Sequence, residues 1–150
     1  MVNKALFASN SAEWETPQNL FDQLNKEFNF QIDVCATQDN TKCPVFFNKE
    51  TNGLIMPWFN WSTCWLNPPY GKEIGLWIEK AHKEARQGAT VVCLLPSRTD
   101  TKYFHDFIWD KEKYKPREGV EIRFLKGRLK FGGSKNSAPF PSMIVIFRTP

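Results

Sequence analysis

Histidine and cysteine are scarce in this chain: two His, at 82 and 105, and four Cys, at 35, 43, 64 and 93, among 150 residues. No two cysteines stand at the spacing of a zinc knuckle, so no metal centre is expected. The thiols read instead as buried, reduced groups of a cytoplasmic protein. Long apolar runs are also missing. None reaches the ~20 residues that a membrane-spanning helix requires, and no stretch resembles a signal peptide, so no membrane partner is expected. No internal repeat is apparent, which argues against solenoids and propellers.

Aromatic side chains, by contrast, are abundant: six Trp, three Tyr and thirteen Phe. Most are expected in a core, and some are available to stack on bases. The composition is 41% hydrophobic and 24% charged, which is that of a globular chain. A chain of this length reads as one domain over residues 1–150, with the polar residues 1–13 as a loosely held arm. The net charge of +4 suits an anionic partner such as nucleic acid.

Thr16-Pro17 reads as a helix start, a hydroxyl N-cap with proline at the first helical position. Leu20, Phe21, Leu24 and Phe28 then recur at helical spacing, which predicts a helix over 17–28. Phe28 to Val34 alternates as a strand and ends in Asp33-Val34-Cys35-Ala36. A carboxylate at a strand's carboxyl end can meet the ammonium or hydroxyls of a cofactor; a solvated strand end is the alternative. Residues 37–53 are rich in Asn, Asp, Thr and Gly and read as loop, interrupted by strand-like Val45-Phe46-Phe47. Trp58, Trp61 and Trp65 crowd the following segment, chiefly as core.

Thr63 to Leu66 predicts a buried strand, and Lys72 to Gln87 an amphipathic helix closed by Gly88. Between them lies Asn67-Pro68-Pro69-Tyr70-Gly71. Two adjacent prolines fix two φ angles, remove two N–H donors and push their predecessors out of the helical region. The result is a stiff extended turn at the carboxyl end of a strand, where open α/β sheets bind ligands. Further on, Ala89 to Leu95 predicts a strand of the kind buried in a parallel sheet. Ser97 to Asp100 offers caps to a helix holding Tyr103, Phe104, Phe107 and Ile108, and 111–119 reads as an exposed loop. Val120 to Leu125 and Phe140 to Arg148 predict two closing strands, paired antiparallel because no helical pattern joins them. Their connection carries Lys126, Arg128, Lys130 and Lys135. The first three alternate with Leu125, Leu129 and Phe131, so they can share one face of an extended segment and contact phosphates; a solvated hairpin end is the alternative. Ser134 and Asn136 are candidates for touching base edges.

Asn67-Pro68-Pro69-Tyr70 resembles the catalytic motif of amino-group methyltransferases that use S-adenosylmethionine. Taken from Trp14 to about Phe147, the layout is similar to the small phage DNA N-6-adenine methyltransferases. The likeness rests on Trp14-Glu15-Thr16-Pro17, Asp33-Val34-Cys35-Ala36, Gly53-Leu54, Asn67-Pro68-Pro69-Tyr70-Gly71, Leu94 to Asp100, and Gly127-Arg128-Leu129-Lys130-Phe131. It implies a Rossmann-like methyltransferase fold, α/β with a mostly parallel sheet and an antiparallel closing strand inserted beside its predecessor. It also implies cofactor contacts from Trp14, Thr16, Pro17, Asp33, Cys35, Ala36 and Asn67. For Arg98 a cap or ion pair is the alternative to a contact with DNA, which the resemblance favours. In one respect the chain departs from the pattern: Cys35 to Asn40 contains no glycine where a glycine-rich loop is usual.

The implied reaction is methyl transfer to the exocyclic amine of adenine in double-stranded DNA, in the cytoplasm of a bacterial host. The amine's lone pair is delocalised into the ring. Carbonyl acceptors from Asn67 and Pro68 can each take one N–H, turning that lone pair toward the methyl donor and stabilising the charge that develops. Pro69 stiffens the turn, and Tyr70 is the ring that stacks on the flipped base. A protein glutamine amide or RNA as acceptor, and a DNA-binding module without catalysis, are the other readings.

Overall fold

A computed structural model describes residues 14–150; the arm expected over 1–13 lies outside the described residues. The chain forms helix α1 (Gln18–Phe28), strands β1 (Ile32–Asp33) and β2 (Thr63–Leu66), helix α2 (Ile74–Arg86) and strand β3 (Thr90–Pro96). A π-helical turn (Phe104–Ile108), β4 (Trp109–Asp110), β5 (Lys115–Pro116), β6 (Val120–Phe124) and β7 (Ser142–Phe147) complete it. The main sheet has five strands in the order β1-β2-β3-β7-β6. β1, β2 and β3 are mutually parallel, and β7 runs antiparallel to both β3 and β6. The expected α/β class is observed, with the sheet mixed and β7 inserted beside its predecessor β6.

β3 and β7 form the buried centre. Val91 to Leu95 and Met143 to Phe147 are all nearly solvent-free, as an unbroken apolar run on a doubly covered strand requires. Successive residues of β2 serve opposite faces. Trp65 meets Phe21 of α1 at a centroid distance of 5.4 Å. Cys64 points the other way, toward the Trp58 carbonyl 3.7 Å from its Sγ, and Trp58 stacks on Trp77 of α2. One helix therefore covers each face.

Several elements differ from the sequence expectation. α1 begins at Gln18, with Pro17 at the N-cap and no side-chain cap. The Thr16 hydroxyl, expected to cap it, instead accepts a hydrogen bond from Asn67. The strand read over Phe28 to Val34 shortens to two residues because Asn29 takes a left-handed φ of 54° after the helix. Val45 to Phe47 runs along its open edge, with Asp33 N–H donating to Val45 O and Phe47 N–H to Asp33 O. The helix expected after Ser97 to Asp100 is only the π-helical turn, without a side-chain cap. The wider turn lets Phe104 stack on Trp109, five residues on, at 6.1 Å. The loop expected over 111–119 includes β5, which pairs with β4 in a short antiparallel ladder. No helix among the described residues is long and apolar enough to cross a membrane.

Candidate active site

The carboxyl ends of β1 and β2 open into a cleft of about 590 Å³. Its walls include Trp14, Thr16, Asp33, Cys35, Ala36, Asn67, Pro68 and Pro69, all singled out from sequence. Lys42, Phe47, Asn52, Gly53, Leu54, Glu73, Trp77 and Gly132 join them. The cleft thus combines a short strand end, the diproline turn and the loop from Thr37 to Leu54.

Asn67 is held with unusual definition. Its Nδ2 donates to the Trp14 carbonyl and, at 2.9 Å, to Thr16 Oγ1. A carbonyl only accepts, so the nitrogen must face Trp14 and the oxygen must face away. Asn67 Oδ1 is buried and has no hydrogen-bond partner among the described residues. An unpaired buried acceptor at the end of a strand, on a side chain that lines the cleft, is a group awaiting a donor.

Asp33 lies on the neighbouring strand β1, in register with Trp65, and is 3% exposed. Its carboxylate accepts from the backbone N–H of Lys42 at 3.0 Å and of Cys35 at 3.3 Å. Burial outweighs these two bonds and pushes its pKa up to about 7. Gly53 completes the wall by close approach. A Cβ there would stand 2.1 Å from Val34 O, and the Gly53 carbonyl accepts Trp58 Nε1 at 2.8 Å. Glu84 fixes the same loop from below, its Oε1 accepting the N–H groups of Trp58 (2.7 Å) and Phe59 (3.0 Å).

Not all expected residues meet here. Tyr70 does not line the cleft. It is buried, donates its hydroxyl to Leu94 O at 3.0 Å, and lies edge-on to Phe131 and Phe140. Burial raises its phenol pKa well above the ordinary value. Pro17 faces a separate shallow groove that it shares with Leu20, Lys126, Arg128 and Lys130. Lys126, Arg128 and Lys130 are exposed while Leu129 is half-buried and Phe131 buried, so the predicted alternation is present. Lys135 and Asn136 are exposed on the same loop, and Ser134 is half-buried. Arg98 is exposed, with its guanidinium 5.7 Å from the Phe140 ring centre. Cys43, Cys64 and Cys93 are buried thiols whose pKa burial raises, so they remain protonated; Cys35 is half-buried at the cleft. Among the described residues no group of three or more His, Cys, Asp or Glu could hold a metal ion.

Sequence reasoning missed Lys42, Phe47, Asn52, Glu73 and Trp77 as cleft residues. Gly53-Leu54 was the available signal for that wall, since a glycine beside a tryptophan-rich segment marks close approach.

Comparison with known proteins accords with this geometry. Residues 5–150 match the family model described as DNA N-6-adenine-methyltransferase (Dam). A DNA N-6-adenine-methyltransferase of Haemophilus phage HP1 is 29% identical over 136 residues, covering 89% of this chain and 77% of that relative. Another, from Escherichia phage T1, is 29% identical over 92 residues, covering 61% of this chain and 38% of the relative. The chain therefore belongs to the DNA N-6-adenine-methyltransferase family, and it is an enzyme, a transferase.

Proposed function

We propose that the cleft binds S-adenosylmethionine and that the chain transfers its methyl group to N6 of an adenine flipped out of duplex DNA, on a Rossmann-like scaffold. The buried Oδ1 of Asn67, unpartnered among the described residues, is the observation that carries this reading. It is an acceptor set at the end of a rigid turn, as an exocyclic amine with two N–H groups requires.

The cleft fits such a cofactor. Its volume is in the range of small-molecule sites. Aromatic walls at Trp14, Phe47 and Trp77 suit a nucleoside, and the Asp33 carboxyl suits an ammonium or ribose hydroxyls. Cys35 and Ala36 line the approach to Asp33. When bound, S-adenosylmethionine supplies an electrophilic methyl on a sulfonium.

The chain's own residues handle the nucleophile. Asn67 Oδ1 accepts one N–H of the amine and the Pro68 main-chain carbonyl the other. Pyramidalised in this way, the nitrogen aims its lone pair away from the ring. Both acceptors are neutral dipoles fixed before reaction, so they stabilise the growing positive charge without reorganising, and that charge is discharged when the methylated nitrogen releases one N–H proton to water. Tyr70, edge-on to Phe131 and Phe140 at rest, turns its own ring to stack on the extruded base. Flipping costs a few kcal/mol, which stacking of ~1–3 kcal/mol partly offsets. Lys126, Arg128, Lys130, Lys135 and Arg98 meet the phosphates.

Labelled methyl transfer to duplex DNA, with the product digested to nucleosides, tests the reading. N6-methyladenine is the expected product. Asn67→Ala is expected to lower kcat by about 10²–10³-fold, the scale of one lost oriented dipole, with cofactor binding by calorimetry kept. Normal transfer by Asn67→Ala, or label recovered in glutamine or RNA instead, overturns it.

A further inference from the structure

The orientation of the Asn67 amide is built by a segment distant in sequence. Trp14, Glu15 and Thr16 line the cleft as a strap that leads into α1. Pro17 keeps Thr16 out of the helical region, so the strap is extended where it passes Asn67. Thr16 is 3% exposed, and its Oγ1 takes one hydrogen of Asn67 Nδ2 at 2.9 Å while the Trp14 carbonyl takes the other. The strap is pinned on its far side. Gly132 N–H donates to Glu15 O at 2.9 Å, and the Trp14 ring lies edge-on to Phe131 and Phe140 at 5.3 and 5.2 Å.

A primary amide can turn over by 180°. Turned over, Asn67 would set its oxygen against the Trp14 carbonyl and present N–H donors to an amine that itself carries N–H. Trp14 O disfavours that state by repulsion. The Thr16 hydroxyl disfavours it only while it acts as an acceptor, and it also stops the amide swinging about a single hydrogen bond.

We propose that Thr16 is a positioning residue for methyl transfer: together with the Trp14 carbonyl it holds the Asn67 amide so that Oδ1 faces the amine. This rests on the proposed role of Asn67 and assigns the Thr16 hydroxyl to the nucleophile's side of the reaction rather than to the cofactor's. It also explains why a Thr-Pro pair is not used as a helix cap here. The hydroxyl is engaged elsewhere.

Thr16→Val removes the hydroxyl and keeps the shape. It is expected to lower kcat about tenfold, the scale of one neutral hydrogen bond, with KM for DNA and cofactor affinity by calorimetry within about twofold of the parent. Thr16→Ser, which restores the hydroxyl, recovers kcat. If Thr16→Val does not fold, Thr16→Cys makes the same comparison with a weaker acceptor. An independent readout is the Asn67 side-chain NH₂ resonance in a ¹⁵N spectrum, identified by its loss in Asn67→Ala. It is expected to shift and to exchange faster with water in Thr16→Val. Weakened cofactor binding with kcat unchanged, or an unmoved Asn67 resonance, overturns the assignment. Absence of any transfer by the parent protein would instead count against the proposed function, while the resonance would still judge Thr16.

Discussion

At the scale of single residues the cleft is defined by two polar groups held in opposite conditions. Asn67 Oδ1 is an acceptor lacking a donor among the described residues, and Asp33 is an acid held in the wrong medium for its charge. The Asp33 case gives a pH prediction. Its folded-state pKa of about 7 lies above its ordinary value of 3.8, because burial outweighs the N–H groups of Lys42 and Cys35. Between those values the native state holds a proton that the unfolded chain has released. Its contribution to stability is therefore full below the ordinary value, falls as pH rises toward about 7, and is flat beyond. A cationic cofactor prefers the carboxylate, so binding below pH 7 expels a proton. Affinity is expected to fall on the order of tenfold from pH 8 to pH 6. Calorimetry in two buffers of different ionisation enthalpy should detect proton release at pH 6 and almost none at pH 8. In Asp33→Asn both the proton release and the pH dependence should vanish; if they persist, another group titrates.

Among elements, the loop from Gly53 to Ser62 depends most on a single side chain. Glu84 of α2 is 7% exposed, receives the N–H groups of Trp58 and Phe59 on one oxygen, and pairs with Lys80 Nζ at 2.9 Å on the other. Truncation would leave one buried and one part-buried N–H donor and an ammonium without their acceptor. Glu84→Ala is expected to destabilise by about 2–4 kcal/mol in denaturant titration and to weaken cofactor binding, because the loop forms one cleft wall. Glu84→Gln, which keeps one carbonyl acceptor, should recover most of the loss. Equal stability of Glu84→Ala and the parent would show that the loop is held by Trp58 packing alone. This carboxylate also marks where the sequence stops being legible. Periodicity placed α2, β2, β3 and β7 within a few residues, since their apolar faces carry the pattern. Glu84 looks in sequence like any charged residue of an amphipathic helix. Its partners stand 25 and 26 residues away, in a loop without periodicity. Thr16 is illegible for a similar reason: local rules read a cap, and a side chain 51 residues away took the hydroxyl. The diproline turn was readable because its stiffness is local.

Across the whole molecule the basic side chains fall into two groups. Arg123 is bound by both oxygens of Glu27 and by Glu121, and Arg148 by Glu121, so these charges are already neutralised. Lys126, Arg128 and Lys130 enter no ion pair among the described residues, and they lie together along the groove beside Pro17 and Leu20. That groove is adjacent to the strap that holds Asn67, so phosphates bound along it would lie next to the proposed reacting centre. Each unpaired cation that neutralises a phosphate releases about 0.9 counterion from duplex DNA. Replacing all three by Ala is expected to reduce the slope of log K against log salt by about 3 and to weaken binding uniformly across sequences. The kcat at saturating DNA should change little. Arg148→Ala, which removes a charge already paired with a carboxylate, should leave the slope unchanged. DNA binding by fluorescence anisotropy over a salt series measures both. An unaltered slope in the triple variant would remove this loop from the DNA interface and direct attention to Arg98 and Lys135, the remaining candidates that form no ion pair among the described residues.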